Sequence, residues 1–256
     1  MRLDIPTNGN PIIVDFNVTP IQPQRIRIVA FDSQFPKTIY SDRSVNIHSQ
    51  RDFELRLPKT PAKLSLMIVG GSKDSLKVSQ AKIKKEVACS GWMDEKTRAF
   101  VRFAFDFCEK SSYLKTGVYH SSDNQFLIKY TPTIIDKKTG RQLNTPARIG
   151  HDSGNIEVAQ DKWIKYSVYM RFIILLHEYS HKYMNHQVGR EINDETAADI
   201  NALYIYLGMG CPPIDARLVF AYVFYGKETD QNKRRMNIID DYIERFQRGE
   251  VIPKCK

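Results

Sequence analysis

Apolar and polar residues alternate along the first third of the chain. Arg25-Ile-Arg-Ile-Val and Phe53-Glu-Leu-Arg-Leu each put polar side chains on one side of an extended backbone and apolar ones on the other. Short runs rich in Val, Ile, Leu and Phe recur at residues 11–18, 24–31, 44–47, 52–57 and 62–69. Turn residues separate them: Pro20, Pro23, Pro36, Pro58, Pro61 and the pair Gly70-Gly71. This pattern predicts five to seven strands in a small antiparallel, sandwich-like β domain over residues 1–80. Lys73, Lys77, Lys82, Lys84 and Lys85 make residues 71–93 polar, and a linker is expected at 81–93.

The period changes from residue 94 onward. Asp94 is placed to cap a helix over 94–110, whose apolar positions include Phe100, Val101, Phe103, Ala104, Phe105 and Phe107. Strand character returns at 125–130, 133–135, 148–149 and 155–158, with a turn at Asp136-Lys-Lys-Thr-Gly140. A helix is then expected from 161 to 186, because Met170, Ile173, His177, His181 and Met184 share one stripe. A second helix is expected over 194–207, stopped by Gly208 and Gly210, and two more over 214–225 and 232–248. Strands followed by segregated helices define an α+β fold, with a second domain over 94–256.

Composition narrows the class. At 42% hydrophobic and 26% charged over 256 residues, the chain has enough apolar material for a folded core. No apolar run is long enough to span a bilayer, and the first ten residues lack the apolar centre of a signal peptide. The expected location is the cytoplasm or a larger assembly such as a virion. Cys89, Cys108, Cys211 and Cys255 are scattered without a Cys-x-x-Cys pair, which argues against a thiolate metal site. Of the net charge of +9, residues 1–90 carry +6 (14 Lys and Arg against 8 Asp and Glu). Basic and aromatic residues do not interleave as in a nucleic-acid module, so nucleic acid is not an expected partner.

Residues 177–181 read His-Glu-Tyr-Ser-His. On a helix, His177 and His181 project from one face, and their imidazoles can share one Zn²⁺. Glu178 is then placed beside the metal, where a general base takes a proton from a water. A catalytic zinc needs a third protein ligand. Glu195 and Asp199 lie four apart in Asn193-Asp-Glu-Thr-Ala-Ala-Asp199, so a helix folded back on the first can bring Glu195 to the metal. Asp199 then accepts a hydrogen bond from a ligating imidazole and fixes its tautomer. His186 is the rival third ligand and Asp194 a further one; Tyr204, Tyr206, His151 and Arg217 are candidates for steadying an oxyanion.

With His177-Glu178-Tyr-Ser-His181 and Glu195-Thr-Ala-Ala-Asp199 together, the chain resembles the gluzincin branch of zinc metallopeptidases. The resemblance covers residues 94–248. It implies a zincin-like catalytic domain that hydrolyses peptide bonds. His177, His181 and Glu195 would be the zinc ligands, Glu178 base and then acid, and Asp199 the partner behind an imidazole. Two other functions compete with it. One is a structural or docking component of an assembly, for example a phage virion protein held through its N-terminal β domain. The other is a zinc hydrolase acting on a non-peptide amide such as cell wall.

Overall fold

The computed structural model describes residues 1–72, 75–85, 93–150, 152–183, 195–226 and 228–251. The chain divides into two compact units, one of Met1–Ala88 with Gly210–Pro212, the other of Cys89–Met209 with Pro213–Lys256. The fold is α+β, with antiparallel sheets first and helices plus a further sheet later.

The first unit holds seven strands: β1 (Arg2–Pro6), β2 (Ile12–Pro20), β3 (Gln24–Asp32), β4 (Ile39–Ile47), β5 (Arg51–Leu57), β6 (Lys63–Val69) and β7 (Leu76–Lys85). They form two antiparallel sheets, ordered β1-β6-β3-β4 and β5-β2-β7. Period-two alternation is clearest in β2, where Ile12, Val14, Phe16 and Val18 are buried and the residues between them are not. Phe16 faces Phe53 across the β2–β5 pair with the rings stacked at 5.5 Å.

Two strands were not anticipated. Residues 2–6 form β1, and much of the expected lysine-rich connection is β7, so the strand continues through residues 81–85 of the expected linker. β7 pairs with β2 along most of its length, and Lys84 reaches Asp15 at 2.5 Å. A register shift between Asp15 and Asn17 breaks the alternation, which hid the strand. Lysines on such an edge strand also oppose pairing with another chain. Residues 86–92 lie outside the described residues.

The second unit runs α1 (Glu95–Lys110), β8 (Gly117–His120), β9 (Leu127–Thr131), β10 (Ala147–Ile149), β11 (Ile156–Ala159), α2 (Gln160–Trp163), α3 (Val168–Ser180), α4 (Glu195–Gly208), α5 (Pro213–Val219), a π-helical turn (Phe220–Phe224) and α6 (Asp230–Gln247). Its sheet is ordered β10-β11-β9-β8, parallel between β9 and β11 and antiparallel elsewhere, so β10 is an edge. The expected strand at 133–135 is only an isolated bridge, Ile135 to Gln142.

α3 is the centre of this unit and packs on α1, α4, α5 and β10. Twelve of its 13 residues are buried, and Phe172, Ile173, Ile174, Leu175 and Leu176 are wholly covered. Each such side chain contributes about 1.5–3 kcal/mol through burial. The helix is shorter than the expected 161–186. The Ser167 side chain caps its start by accepting from the Met170 N–H at 3.3 Å, and α2 is a separate turn before it. Residues 184–186 lie outside the described residues.

Arg171 is buried in α3 and, among the described residues, forms no ion pair. Its guanidinium instead donates to Trp163 O at 3.1 Å, Ile164 O at 3.3 Å, Cys108 O at 3.1 Å, Ser111 Oγ at 3.1 Å and Ser112 Oγ at 2.8 Å. The charge is satisfied by carbonyls and hydroxyls at the C-terminal ends of α1 and α2, where a cation is favoured. Among the described residues no helix is long and apolar enough to cross a membrane.

Candidate metal centre

His177 and Glu178 sit in the last turn of α3, and His181 is the residue that caps it. Helical hydrogen bonding carries on through His181, which keeps an αR backbone. Its N–H lies 3.3 Å from both His177 O and Glu178 O, and Tyr183 N–H donates to Tyr179 O at 2.9 Å. Tyr183 is fixed in turn by aromatic contacts with Phe126 and Tyr179 and by the Lys96 ammonium, 3.9 Å from its ring centre. The β10–β11 loop closes on this turn. Gly154, at φ +71°, leaves room for the Tyr183 hydroxyl that a Cβ would meet at 2.6 Å. Lys182 Nζ donates to Asp152 O at 2.6 Å.

α4 meets α3 through a polar pair as well as apolar packing. Asn201 Nδ2 donates to Ser180 Oγ at 2.7 Å, and Ser180 donates to Leu176 O at 2.7 Å. This places the first turn of α4 over the end of α3. His177 Nε2 and His181 Nε2 lie 3.1 Å apart. Glu195 Oε2 is 3.4 Å from His177 Nε2, and Glu195 Oε1 is 3.7 Å from His181 Nε2. The three residues offer ligand atoms that all lie within 4.8 Å of one another. Two nitrogens on a tetrahedral ion at 2.0–2.1 Å stand roughly 3.3 Å apart, so the donor set fits one small divalent ion. The rivals His186 and Asp194, and the oxyanion candidate His151, lie outside the described residues.

Behind these three side chains stands a buried network. Asp199 is wholly buried, with Oδ1 2.9 Å from His177 Nδ1. The N–H direction there is off line, so this contact is electrostatic more than a straight hydrogen bond. Asp199 Oδ2 accepts from Arg235 Nε at 3.0 Å, from Arg235 Nη2 at 2.8 Å and from the Tyr225 hydroxyl. Arg235 Nη2 also donates to Glu195 Oε2 at 3.0 Å. One guanidinium thus ties together two carboxylates that share a face of α4 and would otherwise repel. It also lies over the Tyr225 ring, 4.6 Å from the centroid. The π-helical turn that leads to Tyr225 brings Phe224 flat against the His177 ring at 4.2 Å.

The charges follow from these contacts. Burial opposes the imidazolium of His177, but Asp199 and Glu195 outweigh it and hold the group up at about 9. His177, with help from His181 and Arg235, holds Glu195 down at about 2. Burial pushes Glu178 above the usual carboxylate range, partly offset by His177 and by a hydrogen bond from the Ile149 N–H. Burial and the neighbouring Asp199 charge push the Tyr225 phenol up, so it stays a donor.

The Ile149 contact ties Glu178 to β10. Gly150 N–H donates to Asn155 O, and Ala159 N–H to Pro146 O. Antiparallel pairing alternates, so Ala147 and Ile149 direct their backbone groups away from β11, toward the open edge.

Of the residues singled out in the sequence, His177, Glu178, His181, Glu195 and Asp199 come together. Tyr204 and Tyr206 are buried along α4, and Arg217 pairs with Asp240 at 2.8 Å on the surface. Arg235, Tyr225, Phe224 and the Ile149 N–H were not anticipated, because no local pattern in the sequence marks them. Comparisons with protein-family models, curated proteins and solved structures returned no match.

Proposed function

We propose that this chain is a zinc-dependent peptidase whose metal is held by His177, His181 and Glu195, with Glu178 as general base. The observation that carries the reading is the convergence of those three donor groups beside a buried carboxylate that touches an open strand edge. When bound, zinc supplies Lewis acidity, acidifying a water and polarising the scissile carbonyl. Every other part falls to the chain. The Asp199 charge, 2.9 Å from His177 Nδ1, favours the tautomer protonated there and would leave the Nε2 lone pair free for the ion. Arg235 donates to Glu195 Oε2 and would hold that carboxylate toward the ion. Glu178 removes a proton from the attacking water and hands it to the leaving amine, and its raised pKa suits both transfers. Of the outward backbone groups of β10, the Ala147 N–H and the Ile149 carbonyl are left for an extended peptide to pair with, since Thr145 Oγ1 donates to Ala147 O at 2.7 Å and Glu178 takes the Ile149 N–H.

The chain loaded with zinc is expected to cut a mixed peptide library, read by mass spectrometry, and a chelator is expected to stop it. One equivalent of tightly held zinc with no cleavage would overturn the reading, and would favour a structural ion in a docking component.

Metal uptake should also release protons. Below about pH 9 the metal-free His177 is protonated, and the ion needs it neutral. Calorimetric titration at pH 7 in buffers of different ionisation enthalpy should report about one proton released per ion, with affinity rising with pH up to about 9. In the metal-free chain the sign is opposite. The contribution of charged His177 to stability is whole below about pH 6.5 and is lost as pH climbs through about 9. That of Glu195 is whole above about pH 4.5 and is lost as pH falls through about 2.

A further inference from the structure

A basin of about 860 Å³ lies on the solvent face of the second unit's sheet, bordered by the same edge strand that touches Glu178. Its floor is a cross-strand row, Arg148–Glu157–Lys129, in which Glu157 takes both cations, at 2.6 Å and 3.4 Å. Beside that row Gly150 lines the basin next to the β10 edge, where a Cβ would meet Ser153 Oγ at 2.7 Å.

One wall is the tip of a tight hairpin that carries Lys137 and Lys138. This tip is rigid. The Asp136 carboxylate accepts the N–H groups of Lys138 at 2.7 Å and Thr139 at 3.1 Å, and Gly140 closes the turn at φ +69°. Arg148 Nη2 donates to Ile135 O at 3.1 Å and so fastens the hairpin to β10. Lys137 and Lys138 are exposed and, among the described residues, form no ion pair. With Glu157 occupied by the floor cations and Asp136 by backbone donors, the two ammonium groups are the charges still available on the hairpin; the basin's remaining acidic residue, Asp152, belongs to the β10–β11 loop.

We infer that this basin binds an acidic side chain of an extended peptide lying along β10. The inference rests on the proposed peptidase reading and names its substrate class. A strand paired with β10 turns alternate side chains toward the sheet's solvent face. Those side chains pass the hairpin tip, where carboxylates meet Lys137 and Lys138 and ammonium groups are repelled.

The test uses the full chain with Glu178→Gln and zinc added, so that binding is read without turnover. Three dye-labelled decapeptides alternate alanine with glutamate, glutamine or lysine, and fluorescence anisotropy gives their affinities. The glutamate peptide should bind about tenfold more tightly than the glutamine one, and the lysine peptide least, the preference fading in high salt. Adding Lys137→Gln and Lys138→Gln should level the three. Equal binding of the three peptides, or a preference that survives the lysine changes, overturns the inference. Preferential binding lost with the lysines, in a chain that cuts no peptide library, sustains the acidic site and overturns the peptidase reading alone.

Discussion

Arg235→Met should lower the stability of the metal-free chain by about 3–5 kcal/mol, the usual cost of removing one partner from a buried ion pair. Asp199 is wholly buried, and the substitution takes away both guanidinium hydrogen bonds to its Oδ2, leaving the Tyr225 hydroxyl and the off-line His177 contact. It also removes the cation from between Asp199 and Glu195. Methionine retains much of the side-chain length, so the loss measures charge pairing more than packing. Urea unfolding with a chelator present keeps metal binding out of the comparison. Arg235→Lys should recover only part, because an ammonium cannot present the planar fork that reaches both carboxylates. A loss under about 1 kcal/mol for the methionine variant would mean that Asp199 does not depend on Arg235.

Glu178→Gln should reduce peptide cleavage by about 10²–10⁴ while metal content stays at the wild-type level. Glutamine keeps the shape of glutamate and can still accept the Ile149 N–H through its amide oxygen. What it cannot do is carry a proton between water and amine. Burial already disfavours the charge on Glu178, so the neutral amide should fold at least as well. Initial rates on one library-derived peptide, with metal measured on the same samples, separate the two effects. Activity within about tenfold of wild type would remove Glu178 from the role of base.

The two halves of the site differ in how they could be read from sequence. His177, Glu178 and His181 are local, and Glu195 with Asp199 needs only the four-residue repeat of a helix. Arg235 comes to Asp199 from 36 positions away and Tyr225 from 26, and no periodicity records such pairings. The start of α3 was missed for a related reason: Ser167 caps it without the acidic residue three positions on that completes a capping box. Helix α1 has that kind of local signal in Asp94, whose side chain accepts from the Thr97 N–H at 2.7 Å, and its bounds were legible. β7 shows the opposite case. Its lysines look like a solvated connection until β2 is laid beside them, because half of any edge strand faces water.

Arg171 gives this unit an asymmetry between its centre and its site. An arginine keeps its proton at any pH a protein survives, and the carbonyls and hydroxyls around this one do not titrate there either. The junction of α1, α2 and α3 is therefore indifferent to acid. The cluster at the far end of α3 is sensitive to both, through His177 and Glu195. Along a single helix, a proton-indifferent anchor stands at one end and a proton-responsive centre at the other. Acid therefore acts on the His177–Glu195 cluster and not on the Arg171 anchor.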